Sequence, residues 1–234
     1  MSFEAAMGSL HPRDRYKLLS ASVVPRPIAF VTSVSEDGVV NAAPFSFFNV
    51  FSPDPPVVVL GVQKRFDGTV KDTARNIAAN GVFVVNLVDE DLVAAANVAA
   101  IDFPPDYCEI DAAGLTLIDG VDVPVPRIAE APFSLECRRI ASLVLGSKGE
   151  LVIGEIVRFH AREGLVDPER MYVNAQAYRP VARMGGMTYA RRPDLFTMNI
   201  DSAEEWFARQ GEPVQQEQAV AHAGHAGHAG KNQD

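Results

Sequence analysis

The chain has 234 residues, of which 47% are hydrophobic, and a formal net charge of −9 at pH 7. This length fits one domain with extensions, and the hydrophobic content is that of a globular protein rather than a disordered or fibrous one. The acidic balance argues against nucleic acid as a partner, because the mean field repels phosphate backbones. Any phosphate ligand must therefore be held by local donors.

The cysteines and the N-terminal sequence indicate the compartment. Cys108 and Cys137 cannot build a disulfide framework, and neither belongs to a Cys-x-x-Cys pair. The start of the chain lacks a basic segment followed by an apolar stretch, and no run approaches the ~20 apolar residues that span a bilayer. We therefore expect a cytoplasmic protein that does not insert into a membrane.

Three segments of the first half have the pattern of β-strands. Residues 25–52 form two extended runs joined at Asp37-Gly38, a hairpin signal between β-branched and aromatic residues. The apolar run of residues 56–63 predicts a strand buried on both faces. Residues 82–88 return as a further strand.

Two short helices and a second hairpin complete the predicted elements. Residues 69–80 repeat apolar side chains on one helical face, and residues 89–100 have an acidic first turn with helical spacing. Residues 132–162 contain two strand-like runs that meet at a Gly-Ser-Lys-Gly turn. Because many strands are joined locally, the chain is predicted to be mainly β with flanking helices, in an antiparallel barrel or sandwich.

Composition divides the chain into three parts. An N-terminal arm covers residues 1–14, a folded domain covers residues 15–200, and a C-terminal extension covers residues 201–234. From Glu212 onward the extension consists largely of Gln, Glu, Ala, Gly and His. Such a segment buries too little apolar surface to fold, so we predict a disordered tail.

The remaining histidines and cysteines are weak candidates for chemistry. His222, His225 and His228 could chelate a metal ion weakly, but flexible Gly-Ala spacers do not preorganise a site, so no functional metal is expected. Cys137 is predicted to be a small buried hydrophobe rather than a nucleophile. His160 is predicted to be structural unless its side chain faces a pocket.

Two segments contain polar groups that could bind a ligand. Asn41, Ser46 and Asn49 interrupt an apolar strand, so they either brace a neighbouring loop or meet a polar ligand. A second segment, residues 64–73, is a donor-rich turn that leads directly into the first predicted helix.

The donor-rich turn has two interpretations. The N–H groups of the first helical turn, with Arg65, Lys71 and the Thr73 hydroxyl, could hold a phosphate. Alternatively, Thr69 or Asp72 caps an ordinary surface helix and the basic side chains are solvated.

Several separated blocks, in the same order, resemble the flavin reductase-like, FMN-binding split-barrel family. The resemblance covers roughly residues 15–191, and ordered blocks are more specific than any single motif. The blocks are PRPIAFVTSVSEDGVVNAAPFSFFNVFSPDPP, KDTARNI, FVVNLV, LVIGEI and RPVARMGGMTYA.

The resemblance implies a six-stranded antiparallel split β-barrel, usually dimeric, with FMN near the subunit boundary. By position, Asn41, Ser46, Phe47 and Asn49 would line the flavin ring and ribityl chain. The KDT block would meet the phosphate.

Within that block the resemblance gives the phosphate to Lys71, Asp72 and Thr73, with Arg65 nearby. Asp72 is better suited to capping or orienting a neighbour, because two anions in contact repel each other.

A third block, residues 179–190, resembles a segment near the flavin pocket of longer family members. Gly185 would permit close backbone approach to a ligand, Arg183 would contact an anion and Tyr189 would stack on a ring. The alternative is a glycine turn with a core tyrosine and a surface arginine.

The resemblance implies hydride transfer from NADH or NADPH to flavin, with reduced flavin passing to a partner monooxygenase or another acceptor. Many shorter members carry a nicotinamide-linked histidine in a Gly-Asp-His turn, whereas this chain has Ser147-Lys148-Gly149. The alternatives are a pyridoxamine-phosphate oxidase-like FMN oxidase and a non-catalytic carrier of FMN or metal.

Overall fold

The structure is a computed structural model that forms two compact units, residues 1–192 and residues 193–234. Composition placed this division at residue 200. The described residues are 2–65, 67–101, 103, 109–191, 195–198 and 200–209. The predicted disordered tail, from Glu212 onward, lies outside the described residues. Among the described residues, no helix is both long enough and apolar enough to cross a bilayer.

The first unit is built from strands with short helices between them. Its helices are α1 (Pro12–Ser22), α2 (Asp72–Asn80), α3 (Val93–Val98) and α4 (Glu109–Ala113), after a 3₁₀ turn at Met7–Ser9. Its long strands are β1 (Ala29–Val34), β2 (Val40–Phe45), β3 (Phe48–Pro53), β4 (Pro56–Gln63), β5 (Val82–Leu87), β8 (Phe133–Leu145) and β9 (Gly149–Ala161). Its two-residue strands are β6 (Leu117–Ile118), β7 (Arg127–Ile128), β10 (Val166–Asp167), β11 (Tyr172–Val173), β12 (Ala182–Arg183) and β13 (Tyr189–Ala190).

The second unit contains one described helix, α5 (Ala203–Ala208). The Ser202 hydroxyl accepts a hydrogen bond from the Glu205 N–H at 3.2 Å, and the Glu205 carboxylate accepts one from the Ser202 N–H at 2.8 Å. This reciprocal capping box satisfies donors that an isolated helix start leaves unpaired.

The long strands form one antiparallel sheet of seven strands in the order β2-β1-β5-β8-β9-β4-β3. The prediction of a mainly β, antiparallel fold is therefore confirmed. The two edge strands, β2 and β3, are consecutive in the chain and only Ser46 and Phe47 separate them. The sheet must therefore curl until its two edges come close together.

The seven strands, where the family resemblance implies six, result from this break. A single extended run was predicted for residues 39–52, but the structure divides it into β2, paired with β1, and β3, paired with β4. At the break the Gly61 N–H donates to the Phe47 carbonyl at 2.7 Å. A Cβ at Gly61 would lie 3.0 Å from the Phe47 Cβ, so the small residue permits this approach.

Strand β4 is buried less than predicted. Val58, Leu60 and Val62 are buried, whereas the alternating residues Val57, Val59 and Gly61 are only partly covered. One face thus contributes to the core, and the other borders open space. The expectation that both faces are covered was wrong because a continuous apolar run does not distinguish a core from a cavity wall.

Both predicted helices are present but shorter than expected. Helix α2 begins at Asp72 rather than Thr69, because Asp67 accepts hydrogen bonds from the Thr69 N–H and hydroxyl and closes a turn there. Before α3, the buried Asp89 carboxylate accepts a hydrogen bond from the Leu92 N–H at 3.1 Å. The acidic segment therefore forms a turn, and α3 begins after it, at Val93.

Helix α1 begins near the end of the predicted N-terminal arm, residues 1–14, and continues into the predicted folded domain. The His11 ring accepts a hydrogen bond from the Arg13 N–H at 3.3 Å, and Pro12 fits the first helical position. Ser20 is the helix's buried residue, while Leu18 and Leu19 are exposed. The sequence lacks the apolar stripe by which such a helix is recognised.

The main hydrophobic core lies inside the curled sheet and under α2. Phe83, Leu60 and Ile77 are fully buried there. Gly154 of β9 faces Phe83 so closely that a Cβ would lie 2.5 Å from the ring Cζ and 2.9 Å from Cε1. The ring therefore fills the space that a side chain at position 154 would take.

We predict that Gly154→Ala lowers the free energy of unfolding by about 1–3 kcal/mol, because a methyl group must displace a buried ring in a packed core. Urea denaturation followed by circular dichroism measures the change. Gly8→Ala is the matched control, since a Cβ there meets nothing within 4 Å. Equal urea denaturation midpoints for Gly154→Ala and wild type would show that the core rearranges around the methyl group without losing stability.

Candidate functional site

A cavity of about 540 Å³ opens in the first unit. Its wall combines the loop after α1, the bend between β2 and β3, the uncovered face of β4 and the β8–β9 turn. The lining residues include Pro25, Arg26, Ser46, Phe47, Asn49, Phe51, Val59, Gln63, Lys148 and Leu151. The wall is thus largely apolar and aromatic, with a few polar and charged groups.

Three of the predicted site residues meet in this cavity. Ser46, Phe47 and Asn49 line it together, at the bend that joins the sheet edges. The Phe47 ring lies 6.0 Å from the Tyr16 ring of α1, centroid to centroid. The Asn49 side chain is exposed and its Oδ1 accepts the Val50 N–H at 2.8 Å. This local bond orients the amide and leaves its N–H₂ group available.

Arg26 also lines the cavity and was missed by sequence reasoning. Its side chain is 7% exposed, and its Nε donates to the Ser46 Oγ at 3.4 Å. The guanidinium lies 5.8 Å from the centre of the Phe47 ring. The only sequence signal was a charged residue between two prolines at the start of an apolar strand, which also fits a surface loop.

The start of α2 is the second group of predicted residues. Among the described residues, no side chain caps this helix, and its N-cap residue is Lys71. The capping roles considered for Thr69 and Asp72 are therefore not present. The Lys71 ammonium lies 5.7 Å from the centre of the Phe45 ring, which belongs to β2. The helix start thus keeps backbone donors beside a cation.

Asp72 organises the basic residues around this helix start. Its carboxylate accepts from Arg65 Nη2 at 2.5 Å and from Arg75 Nη2. Burial opposes its ionisation, but both guanidinium groups more than offset that cost and hold the pKa of Asp72 below its usual value. Asp72 therefore orients Arg65, which also donates to the Val70 carbonyl at 2.9 Å.

Asn41 connects β2 to the same helix. Its Nδ2 donates to the Thr73 Oγ1 at 2.9 Å, and Thr73 is 1% exposed. The hydrogen bond leaves the Thr73 hydroxyl hydrogen free to donate elsewhere. Nearby, Glu109 Oε2 accepts from the Ala42 N–H at 3.4 Å, and burial raises the pKa of Glu109 above its usual value.

The third group forms its own cluster. The Arg183 guanidinium lies over the Tyr189 ring at 4.5 Å and donates to the Gly186 carbonyl at 2.6 Å. A Cβ at Gly185 would lie 2.9 Å from the Ala21 Cβ, so this glycine permits close packing on α1. Tyr189 borders a separate cavity of about 250 Å³. None of the three lines the larger cavity.

Arg26 links this third cluster to the main cavity. Its Nη2 donates to the Met184 carbonyl at 3.0 Å, and its backbone pairs with that of Arg183. The predicted site residues thus fall into two groups around β2 and a third that contributes only through Arg26.

The candidates set aside from the sequence are structural in the described residues. Cys137 is fully buried, and burial raises the pKa of its thiol far above the usual value, so it is not a thiolate nucleophile. His160 Nε2 lies 2.6 Å from Glu136 Oε1. Cys108 and the tail histidines lie outside the described residues.

Glu136 holds a loop rather than a ligand. Although its burial opposes ionisation, hydrogen bonds from the Val121, Asp122 and Val123 N–H groups and from His160 hold the pKa of Glu136 below its usual value. His160 is therefore a structural partner, as predicted.

Two bacterial proteins resemble the chain over most of its length. YwrF of Bacillus subtilis is 41% identical over 194 residues, which cover 81% of this chain and 94% of that protein. BH2278 of Halalkalibacterium halodurans is 41% identical over 196 residues, which cover 82% and 93%.

Solved structures share the fold. Nitrilotriacetate monooxygenase component B from Bacillus cereus is 38% identical with a TM-score of 0.80, covering 85% of this chain and 99% of that one. A 2-nitrobenzoate 2-nitroreductase from Pseudomonas fluorescens is 35% identical with a TM-score of 0.78, covering 86% and 98%. A Shewanella frigidimarina protein with a split barrel domain, assigned as a flavin reductase, is 21% identical with a TM-score of 0.72, covering 83% and 96%, and shows the fold alone.

The family follows from these comparisons together with the fold. The sequence model of the flavin reductase-like domain matches residues 21–182, a range that includes the sheet, the main cavity and the start of α2. The chain belongs to the flavin reductase-like domain family.

Proposed function

We propose that the protein binds FMN and passes hydride from NADH or NADPH to the flavin, as a cytoplasmic homodimer. The observation that carries the proposal is the setting of the main cavity. Its lining residue Gln63 is followed two positions later by Arg65, which Asp72 orients at the start of α2. FMN has an apolar ring and a terminal phosphate. The cavity suits the ring, and the neighbouring start of α2 suits the phosphate.

The cavity suits the flavin ring in size and chemistry. Its volume of about 540 Å³ falls within the roughly 300–1,000 Å³ of small-molecule sites. Phe47 and Phe51 provide aromatic surface, while Ser46 and Asn49 provide polar groups that can fix the orientation of the ring.

The start of α2 suits the phosphate. Lys71, Arg65 and the Thr73 hydroxyl supply donors beside uncapped backbone N–H groups. These local charges are needed because the chain as a whole is acidic. Asp72 serves by orienting Arg65 and does not itself meet the phosphate.

The chain's own residues act mainly by position. When bound, the flavin supplies the ring atom that accepts hydride from the nicotinamide, so the protein needs no general base for that step. The apolar wall excludes water, and the polar groups of the bend hold the ring against a second, stacked substrate. Lys148 lies in the turn where many shorter members of the family carry a histidine. It lines the cavity and supplies a cation for an anionic nucleotide.

Exposed apolar residues at the cavity rim support the homodimer. Val23, Phe51 and Leu145 line the cavity yet are 64%, 68% and 53% exposed. Beside Leu145, Leu143 and Val144 of the β8–β9 hairpin are also exposed. Exposed apolar side chains around a cavity mouth are typical of an interface, and a second copy would cover the flavin.

We infer further that the sheet closes into the family's six-stranded split barrel, with β2 and β3 counted as one bent strand. The two-residue link between the edge strands supports this closure.

The electron acceptor is proposed from the relatives. The solved relative at 38% identity is named as a monooxygenase component and the one at 35% as a nitroreductase. We propose a partner monooxygenase as the destination of reduced flavin. Titration of the protein with FMN and then with each nucleotide distinguishes a reductase from the oxidase and carrier alternatives.

We predict that purified protein binds FMN and that NADH or NADPH then bleaches the oxidised flavin band faster than with free FMN. The reason is that the cavity holds ring and nicotinamide in contact. An anaerobic absorbance titration with FMN, then with each nucleotide, measures both steps. Tight binding without bleaching would identify a carrier or an oxidase of another substrate, and absence of binding would remove the flavin proposal.

We predict that Lys71→Ala weakens FMN binding by about tenfold or more and leaves riboflavin binding nearly unchanged, because only FMN carries the phosphate. A charged hydrogen bond contributes roughly 1.5–3 kcal/mol, and 1.4 kcal/mol is tenfold. Fluorescence titration with both flavins measures the difference, and Lys17→Ala, on exposed α1, is the matched control. An equal loss of affinity for FMN and riboflavin would show that Lys71 does not bind the phosphate.

We predict that Val144→Asp converts the dimer to a monomer, because a carboxylate cannot be buried unpaired in an apolar interface. Val144 is 75% exposed in the single chain and does not line the cavity. Size-exclusion chromatography with light scattering measures the mass, and Val39→Asp, at an exposed hairpin turn, is the control. A monomeric wild type would overturn the assembly.

A further inference from the structure

We propose that Arg26 raises the reduction potential of the bound flavin by placing a positive charge beside the ring. This inference rests on the proposed function, since it requires FMN in the main cavity. Sequence reasoning did not select Arg26 as a site residue, but the structure places it in the cavity wall.

Arg26 is a buried cation whose described hydrogen-bond partners are all uncharged. It is 7% exposed, and within the described part of the chain it forms no ion pair with a carboxylate. Its Nη1 donates to the Ser20 and Val23 carbonyls, the latter at 3.1 Å. Buried charges in folded proteins are normally paired, so an arginine with only neutral partners is unusual.

The end of α1 compensates only part of this charge. The Ser20 and Val23 carbonyls belong to the last turn and the C-cap of α1, where the helix dipole amounts to about half a negative elementary charge. Burial lowers the pKa of Arg26 below its usual value; the nearby Tyr16 phenol acts in the opposite direction, and the neighbouring Arg183 adds positive potential that lowers this pKa further. Net positive potential therefore remains at this side of the cavity.

The positive potential faces the proposed flavin site. Arg26 lines the cavity, and its Nε bonds to the Ser46 Oγ, which lines it as well. Four hydrogen bonds use four of the five guanidinium N–H groups, which leaves one N–H of Nη2 without a partner among the described residues. The Ser46 hydroxyl accepts from Arg26, so its own hydrogen can be donated to a ligand.

The proposed reaction creates the negative charge that such a group would attract. Hydride transfer moves two electrons and one proton from the nicotinamide C4 to flavin N5. The nicotinamide leaves with one more positive charge, and the flavin ring, neutral before the step, carries one negative charge after it. A nearby cation stabilises the reduced ring more than the oxidised ring, and this difference raises the potential.

A purely structural role for Arg26 predicts a different result. If Arg26 only holds α1, Met184 and Ser46 together through hydrogen bonds, it would support the binding of oxidised and reduced FMN equally. Its loss would then weaken oxidised and reduced FMN by the same factor, and the potential would not move. The ratio of the affinities for reduced and oxidised FMN therefore distinguishes an electrostatic role of Arg26 from a purely structural one.

The test is the midpoint potential of protein-bound FMN, measured anaerobically with a reference dye and chemical reduction by dithionite. The variants are Arg26→Gln, which removes the charge, and Arg26→Lys, which keeps it. Arg138→Gln, an exposed substitution outside the cavity lining, is the matched control. Because no nicotinamide is used, the measurement is independent of whether the protein is a reductase or a carrier.

We expect Arg26→Gln to bind reduced FMN at least tenfold more weakly relative to oxidised FMN, which lowers the potential by about 30 mV. Arg26→Lys and Arg138→Gln should stay near wild type. An unchanged potential in Arg26→Gln would overturn the proposal while leaving FMN binding intact. If wild type does not bind FMN, the proposed function and this inference both fail.

A measurement on the wild type covers the case in which Arg26→Gln does not fold. If Arg26 keeps the reduced ring anionic, two electrons and one proton are taken up, and the potential falls by about 30 mV per pH unit. We expect this slope to extend to a lower pH for bound FMN than for free FMN. A break at the same or a higher pH would show that no positive charge acts on the reduced ring.

Discussion

The main cavity depends on one short backbone connection, Ser46–Phe47, between the two edge strands of the sheet. Among the described strands, β2 pairs with β1 alone and β3 with β4 alone, so the chain crosses from one edge of the sheet to the other within two residues. The Phe47 carbonyl is fixed by the Gly61 N–H, and its side chain is left to face the opening. The break thereby places the side chains of Ser46 and Phe47 in the cavity wall.

The polar groups around this wall are arranged by charge rather than spread evenly. Asp72 holds two arginines at the start of α2, and Arg26 stands at the bend, supported by the end of α1. Both positions place positive potential on a chain whose net charge is −9. Local donors therefore act against the mean field, which is what an anionic ligand on an acidic protein requires.

The sequence predicted the strands well because their β-branched runs and turn signals are local properties. It did not predict the break at Ser46–Phe47, since both residues suit a strand and the reason for the break is the pairing of β3 with β4. Helix α1 was missed for a similar reason. Leu18 and Leu19 are exposed, and its end is held by Arg26 rather than by an apolar stripe of its own.

The candidate site shows the same difference. Arg65, Lys71 and Thr73 were proposed because a donor-rich turn before a helix is visible in the sequence. Arg26 was not, because its partners include Ser46, 20 residues away, and Met184, 158 residues away. The burial of a charge is decided by such distant contacts. The Arg183 backbone pairs with that of Arg26, and Gly185 packs closely on Ala21 of α1. These two residues therefore border the surroundings of Arg26 without lining the cavity.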